Sequence, residues 1–289
     1  MTQSPNHPPS LHGVFAPILT PLDATLSPDV ARMAEHARWL LDNGCHGLVI
    51  FGTTGEATSF APAERMATLE GLLAAGLPGD RLLVGTGACS VPEAVALTRH
   101  AVAQGCAGVL MLPPFYYKNV PDDGIFQHFA QVIQRVGDDR LRIYLYHIPQ
   151  FSGVPFSLDL IQRLVEAFPG TVVGIKDSSG DWENLRAILE RFPGFGTFSG
   201  TEAFLLRTLR AGGVGTISAV ANVIPDRLRH LYDHWQSPEA EEWQAQLMET
   251  RQRITRYGAI PALKLMVAEQ RQDPGWKRVR PPLVALEGW

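Results

Sequence analysis

The sequence predicts an α/β protein, a closed (β/α)₈ barrel followed by a C-terminal helical extension. Three observations carry that expectation. Eight short apolar runs, each bounded by Gly, Pro or polar turns, alternate with longer amphipathic segments. Most of the short runs are apolar throughout, as strands are when both faces of a parallel sheet are covered. Eight such units fit into a stretch of about 200 residues, the size of a barrel of this kind. An open doubly wound sheet is the competing architecture. Its glycine fingerprint would follow the first run, and GVFAPILTPLD has no GxGxxG.

The strands are expected at 13–19 (GVFAPIL), 47–52, 81–87, 108–113, 142–148 (RIYLYHI), 172–176 (VVGIK), 196–200 and 215–219 (GTISA). The first helix is expected over 28–42, with Ser27 as its N-cap and Pro28 at the first helical position. Further helices are expected at 61–75, 91–104, 124–136, 158–167, 181–191 and 202–211. From position 225 the strands stop. DRLRHLYDHW, EAEEWQAQLMETRQRITRY and AIPALKLMVAEQ read as helices of an appendage, and RVRPPLVALEGW is expected to dock by its apolar residues. The expected organisation is therefore a disordered tail over 1–12, a barrel over 13–224 and a helical domain over 225–289.

Composition narrows the function classes. A chain of 289 residues, 45% hydrophobic, can bury a large core. Net charge is −4 with no basic stripe, so nucleic-acid binding has no electrostatic footprint. Cys45, Cys89 and Cys106 form no CxxC and are too few for a disulfide framework, which fits a reducing compartment. The first residues lack the charged and apolar regions of a signal peptide, and no apolar run approaches the roughly 20 residues that span a bilayer. The expectation is a cytoplasmic protein with a small-molecule substrate.

In a barrel the chemistry lies at the C-terminal ends of the strands. Those ends offer Gly52-Thr53-Thr54-Gly55-Glu56, Phe115-Tyr116-Tyr117, Tyr144-x-Tyr146-His147, Lys176-Asp177 and Gly200-Thr201-Glu202. Strand alternation puts Val172, Gly174 and Lys176 on one face, and Val173 and Ile175 on the other. The face with the small glycine suits the interior, with Lys176 at its top and Tyr146 on the adjacent strand. A lysine held among apolar walls favours its neutral amine, which can add to a ketone and form an imine. A tyrosine relayed through a threonine hydroxyl can carry the proton. Each feature has a plainer reading. A strand-end lysine commonly reaches to water, a barrel tyrosine is commonly core, and GTTGE alone is a tight turn. His230 and His234 stand i, i+4 without a third ligand, so no metal site is expected, and no cofactor fingerprint is present.

Taken together, GTTGE, PPFYY, the tyrosine of YHIP and GIKDSSG resemble the dihydrodipicolinate synthase / N-acetylneuraminate lyase family, from about Gly13 to the C-terminus. The resemblance implies a class I aldolase that needs no cofactor beyond a lysine imine with pyruvate or another 2-keto acid. It implies a homotetramer, a dimer of dimers. Lys176 matches the imine lysine, Tyr146 the proton-transferring tyrosine and Thr53 the relay threonine. Thr54 matches the holder of the keto-acid carboxylate, and Tyr116 a tyrosine that enters the neighbouring subunit's site. Ile217 matches a position whose backbone lines the pyruvate pocket, and Gly200 the glycine after the seventh strand; both are expected to bind substrate. The departures concern the second substrate. Phe151 stands where the synthases carry an arginine that grips a carboxylate, and a phenylalanine cannot replace a bidentate clamp. His147 stands where asparagine is usual, and either reaches a substrate hydroxyl or points away. The expected partner is thus an uncharged, hydroxylated or apolar aldehyde. A dehydratase of 2-keto-3-deoxy acids is the alternative, and the synthase follows it because of Phe151. An inactive regulatory barrel is the reading of a different class.

Overall fold

Eight parallel strands close into one barrel in the order β1 to β8. The structure, a computed structural model, describes residues 11–289. The strands are β1 (Gly13–Pro17), β2 (Gly47–Ile50), β3 (Leu82–Gly85), β4 (Gly108–Met111), β5 (Ile143–His147), β6 (Val172–Asp177), β7 (Gly196–Ser199) and β8 (Gly215–Ile217). The helices are α1 (Val30–Asp42), α2 (Pro62–Ala74), α3 (Val91–Ala103), α4 (Asp122–Val136), α5 (Pro149–Ser152), α6 (Leu158–Ala167), α7 (Trp182–Arg191), α8 (Leu205–Arg210), α9 (Pro225–Asp233), α10 (Ala240–Tyr257) and α11 (Ala259–Arg271). Among the described residues no helix is long and apolar enough to cross a membrane.

Two apolar clusters follow from the alternation of strand side chains. Phe15, Val49, Leu83, Leu110, Tyr144, Tyr146, Phe198 and Ile217 fill the barrel interior. Val14, Leu48, Ile50, Leu82, Val109, Leu145 and Ile175 face outward and join the helices in the larger outer core. The interior is a packed core, as small barrels require. The Tyr144 ring lies where side chains at Gly174 and Gly196 would have to be. A Cβ at Gly174 would come within 2.5 Å of that ring, so this close approach requires a glycine.

Three features differ from the sequence expectation. The cap of α1 is Asp29, whose side chain accepts from the Arg32 N–H. Ser27 is held in the preceding turn, where its carbonyl accepts from the Asp23 N–H at 2.9 Å, and Pro28 pairs with Leu22 in a short bridge. The helix expected over 202–211 begins as a 3₁₀ turn, Glu202–Phe204, before α8. A register shift opposite Ile143 and Tyr144 sends Val172 to the outer core and Val173 inward, the reverse of simple alternation, while Gly174 and Lys176 keep the interior face. The helix that begins at position 225, α9, packs on β1.

Residues 1–10 of the expected tail lie outside the described ones. Leu11 does not belong to a tail. It packs beneath the inner cluster, and its N–H donates to the Tyr144 hydroxyl at 2.9 Å. That bond closes the bottom of the barrel. Burial pushes the Tyr144 phenol up to about 12, which leaves it a structural group.

Candidate active site

Lys176 and Tyr146 are register partners on β6 and β5, one residue before each strand's end. Both side chains point into the barrel, and both are almost fully buried. The Lys176 Nζ stands 3.4 Å from the Tyr146 Oη and 4.5 Å from the centre of its ring. The Tyr146 hydroxyl also lies 3.1 Å from the Thr53 Oγ1. An amine, a phenol and an alcohol thus form one chain at the C-terminal end of the barrel.

Thr53 is placed by the turn that leaves β2. The Glu56 N–H donates to the Thr53 carbonyl at 3.0 Å, and the Thr20 hydroxyl donates to the Gly55 carbonyl at 2.8 Å. Glu56 adopts a left-handed conformation, with φ of 57°, which is strained for a residue with a side chain. A buried ion pair holds it there. Its carboxylate meets Lys264 of α11, and both side chains are wholly out of solvent. It also accepts from the Arg280 N–H at 3.2 Å, while the Lys264 Nζ donates to the Arg278 carbonyl at 2.6 Å. Burial pushes the Lys264 pKa down, and the neighbouring Glu56 carboxylate opposes that shift. Thr54, in the same turn, makes no hydrogen bond to any described residue.

A cavity of about 320 Å³ opens beside this chain, with Thr53 and Tyr146 on its wall. Lys176 is not on that wall; its Nζ lies 3.4 Å from the Tyr146 hydroxyl, which is. Phe51, Phe115 and Phe151 line it from the barrel, and Ile260 and Leu283 from the C-terminal segments. Among the described residues no group of three or more His, Cys, Asp or Glu side chains is placed to hold a metal ion.

The other sequence-selected residues divide. Ile217 is fully buried in the inner cluster, and its strand pairs with β1 through Phe15. The Gly200 N–H donates to the Asp177 carbonyl at 2.7 Å, and a Cβ there would sit 1.9 Å from the Ser178 Oγ. Phe151 lies on α5 at the cavity mouth, 71% exposed. Tyr116 is 74% exposed on the loop after β4, and its ring meets that of Tyr117 edge-on. His147 is the residue the structure removes from the site. Its Nδ1 accepts from the Phe156 N–H at 3.1 Å, between β5 and the chain leading to α6, so it alternates to the outer side. Burial pushes its pKa down, opposed by the Asp177 carboxylate. Sequence reasoning missed Lys264, Ile260 and Leu283. The one available signal was a lysine set within the apolar run ALKLMV.

Residues 10–288 match the model of the dihydrodipicolinate synthetase family. The chain belongs to that family. An uncharacterized DapA-like lyase of Chloroflexus aurantiacus is 34% identical over 254 residues, which cover 87% of this chain and 84% of that one. The crystal structure of a dihydrodipicolinate synthase from Agrobacterium tumefaciens superposes with a TM-score of 0.89 at 34% identity, covering 96% of this chain and 94% of that one. YagE, an E. coli prophage protein of the family solved with pyruvate, superposes with a TM-score of 0.86 at 25% identity, covering 96% and 93%. The barrel expected from the sequence is therefore the family's fold, and the chain is a lyase of the aldolase type.

Proposed function

We propose that this family member cleaves or forms a carbon–carbon bond through an imine between Lys176 and a 2-keto acid such as pyruvate. The observation that carries the reading is the contiguous set of Lys176, Tyr146 and Thr53, within hydrogen-bond reach of one another at the barrel's C-terminal end. The Lys176 amine attacks the ketone carbon, and loss of one water gives the imine. In the cleavage direction Tyr146 takes the proton of the C4 hydroxyl and the C3–C4 bond breaks. The electron pair moves into the imine and leaves an enamine. Protonation at C3 and addition of one water then release pyruvate and restore the lysine. Thr53 orients the Tyr146 hydroxyl and passes its proton on. The unengaged Thr54 N–H supports a role for that turn in holding the keto-acid carboxylate.

Tyr116 supports an oligomeric site. Its 74% exposure is what a tyrosine that completes the relay in a partner subunit would need, within the tetramer that the resemblance implies. Phe151 bears on the second substrate. It stands where a synthase would carry its carboxylate-gripping arginine, which favours a lyase over 4-hydroxy-tetrahydrodipicolinate synthesis. The test is a comparison of pyruvate release from 2-keto-3-deoxy acids with condensation of pyruvate and aspartate semialdehyde. Release is expected to dominate. Efficient condensation with the semialdehyde would refute the reading of Phe151.

A further inference from the structure

We infer that the second substrate is an aldehyde with an apolar tail, bound between the barrel rim and the C-terminal segment. The inference rests on the Schiff-base reading above and names the substrate class of that site. Leu112, Phe115, Ile148 and Phe151 form one side of the cavity, and Ile260 and Leu283 form the other. A hydroxylated chain reaching the buried part of this space would give up water for acids and a hydroxyl that are already engaged. The Glu56 carboxylate is taken by Lys264 and the Arg280 N–H. The Ser152 hydroxyl donates to the Val154 carbonyl at 3.0 Å. The acid after β7 offers nothing further, because both Glu202 oxygens are occupied, by the Ser218 hydroxyl at 2.5 Å and by Arg251 at 3.1 Å. A buried hydroxyl without a partner is costly, whereas an apolar tail gains from burial in the same volume.

Arg65 is a buried cavity group with unused capacity; the hydroxyls of Thr58, exposed, and Ser59, half-buried, also line the cavity and make no hydrogen bond to a described residue. Arg65 is 5% exposed, and burial pulls its pKa down to about 10. It donates to the Gly85 carbonyl, its guanidinium stands 5.8 Å from the centre of the Phe51 ring, and its Nε has no partner among the described residues. A tail ending in a carboxylate is therefore the competing occupant, and the experiment separates the two.

The reaction balances without a further reagent. The enamine carbon of Lys176-bound pyruvate attacks the aldehyde carbon, and the aldehyde oxygen takes the Tyr146 proton. One water then hydrolyses the imine to release a 4-hydroxy-2-oxo acid.

The test measures pyruvate release by the full chain from three 4-hydroxy-2-oxo acids of matched length, with isobutyl, polyol and carboxylate tails. The isobutyl substrate is expected to show a kcat/KM about tenfold or more above the others, rising about fourfold for each methylene the cavity accepts. Phe151→Arg, at an exposed position, is expected to reverse the ranking of the isobutyl and carboxylate tails. A parent enzyme that ranks the polyol or the carboxylate first overturns the inference, and in the second case Arg65 becomes the recognition group. Release from none of the three, while pyruvate is still trapped on Lys176, also overturns it. Failure of trapping removes the Schiff-base reading instead, so the two failures are told apart.

Discussion

Lys264→Met tests whether the C-terminal appendage holds the catalytic turn in place. Both partners of the Glu56–Lys264 pair are fully enclosed, and the substitution removes the cation while keeping most of the side-chain volume. The stranded carboxylate retains one hydrogen bond, from the Arg280 N–H. Breaking a buried pair from one side costs about 3–5 kcal/mol. At about 2–4 °C per kcal/mol for a large domain, that is a fall of about 6–20 °C in melting temperature. Calorimetry at one fixed protein concentration measures it. The double variant with Glu56→Gln removes the uncompensated charge and is expected to recover more than half of the loss. Turnover of Lys264→Met is expected to fall as well, because Thr53 sits three residues from the freed carboxylate. A melting temperature within about 2 °C of the parent would refute the reasoning, since no buried pair worth breaking would then exist.

Three further outcomes are expected. Tyr116→Phe lowers turnover while pyruvate is still trapped on Lys176 and the melting temperature holds, as befits a 74% exposed side chain acting in a partner's site; loss of trapping would contradict the relay role. Gly200→Ala forces a Cβ to within 1.9 Å of the Ser178 Oγ and 2.7 Å of the Asp177 carbonyl, so urea unfolding should show a loss of about 1–3 kcal/mol, and an unchanged midpoint would mean the loop yields freely. Burial, reinforced by Arg271, pushes His36 from 6.5 down to about 3, so the unfolded chain holds a proton in that window that the folded chain does not. Its contribution is therefore full above pH 6.5 and lost as pH falls toward 3, and His36→Gln should show a shallower drop in urea midpoint on acidification than the parent.

The barrel was legible because apolar runs and helical periods recur along the chain, and the pairing of Tyr146 with Lys176 followed from period-two alternation on adjacent strands. Alternation failed at Val172 and Val173, where the register shift opposite Ile143 and Tyr144 adds a residue that no local pattern marks. His147 was left open between two orientations, and its bond to the Phe156 N–H decides for the outer one. The cap at Asp29 was hidden because Ser27 and Pro28 mimic a helix start while serving a turn. Lys264, Ile260 and Leu283 were invisible for a different reason. Their place at the site depends on how the appendage packs on the rim, a contact made across some 200 residues of chain, of which local sequence shows at most a lysine set within an apolar run.

The central claim is that Lys176 forms an imine with a 2-keto acid. Incubation with pyruvate, reduction with borohydride and mass spectrometry of the protein and its peptides test it directly. One pyruvate-sized adduct per chain, located on Lys176 and absent from Lys176→Ala, is the expected result. No adduct, or an adduct that persists in Lys176→Ala, would contradict it.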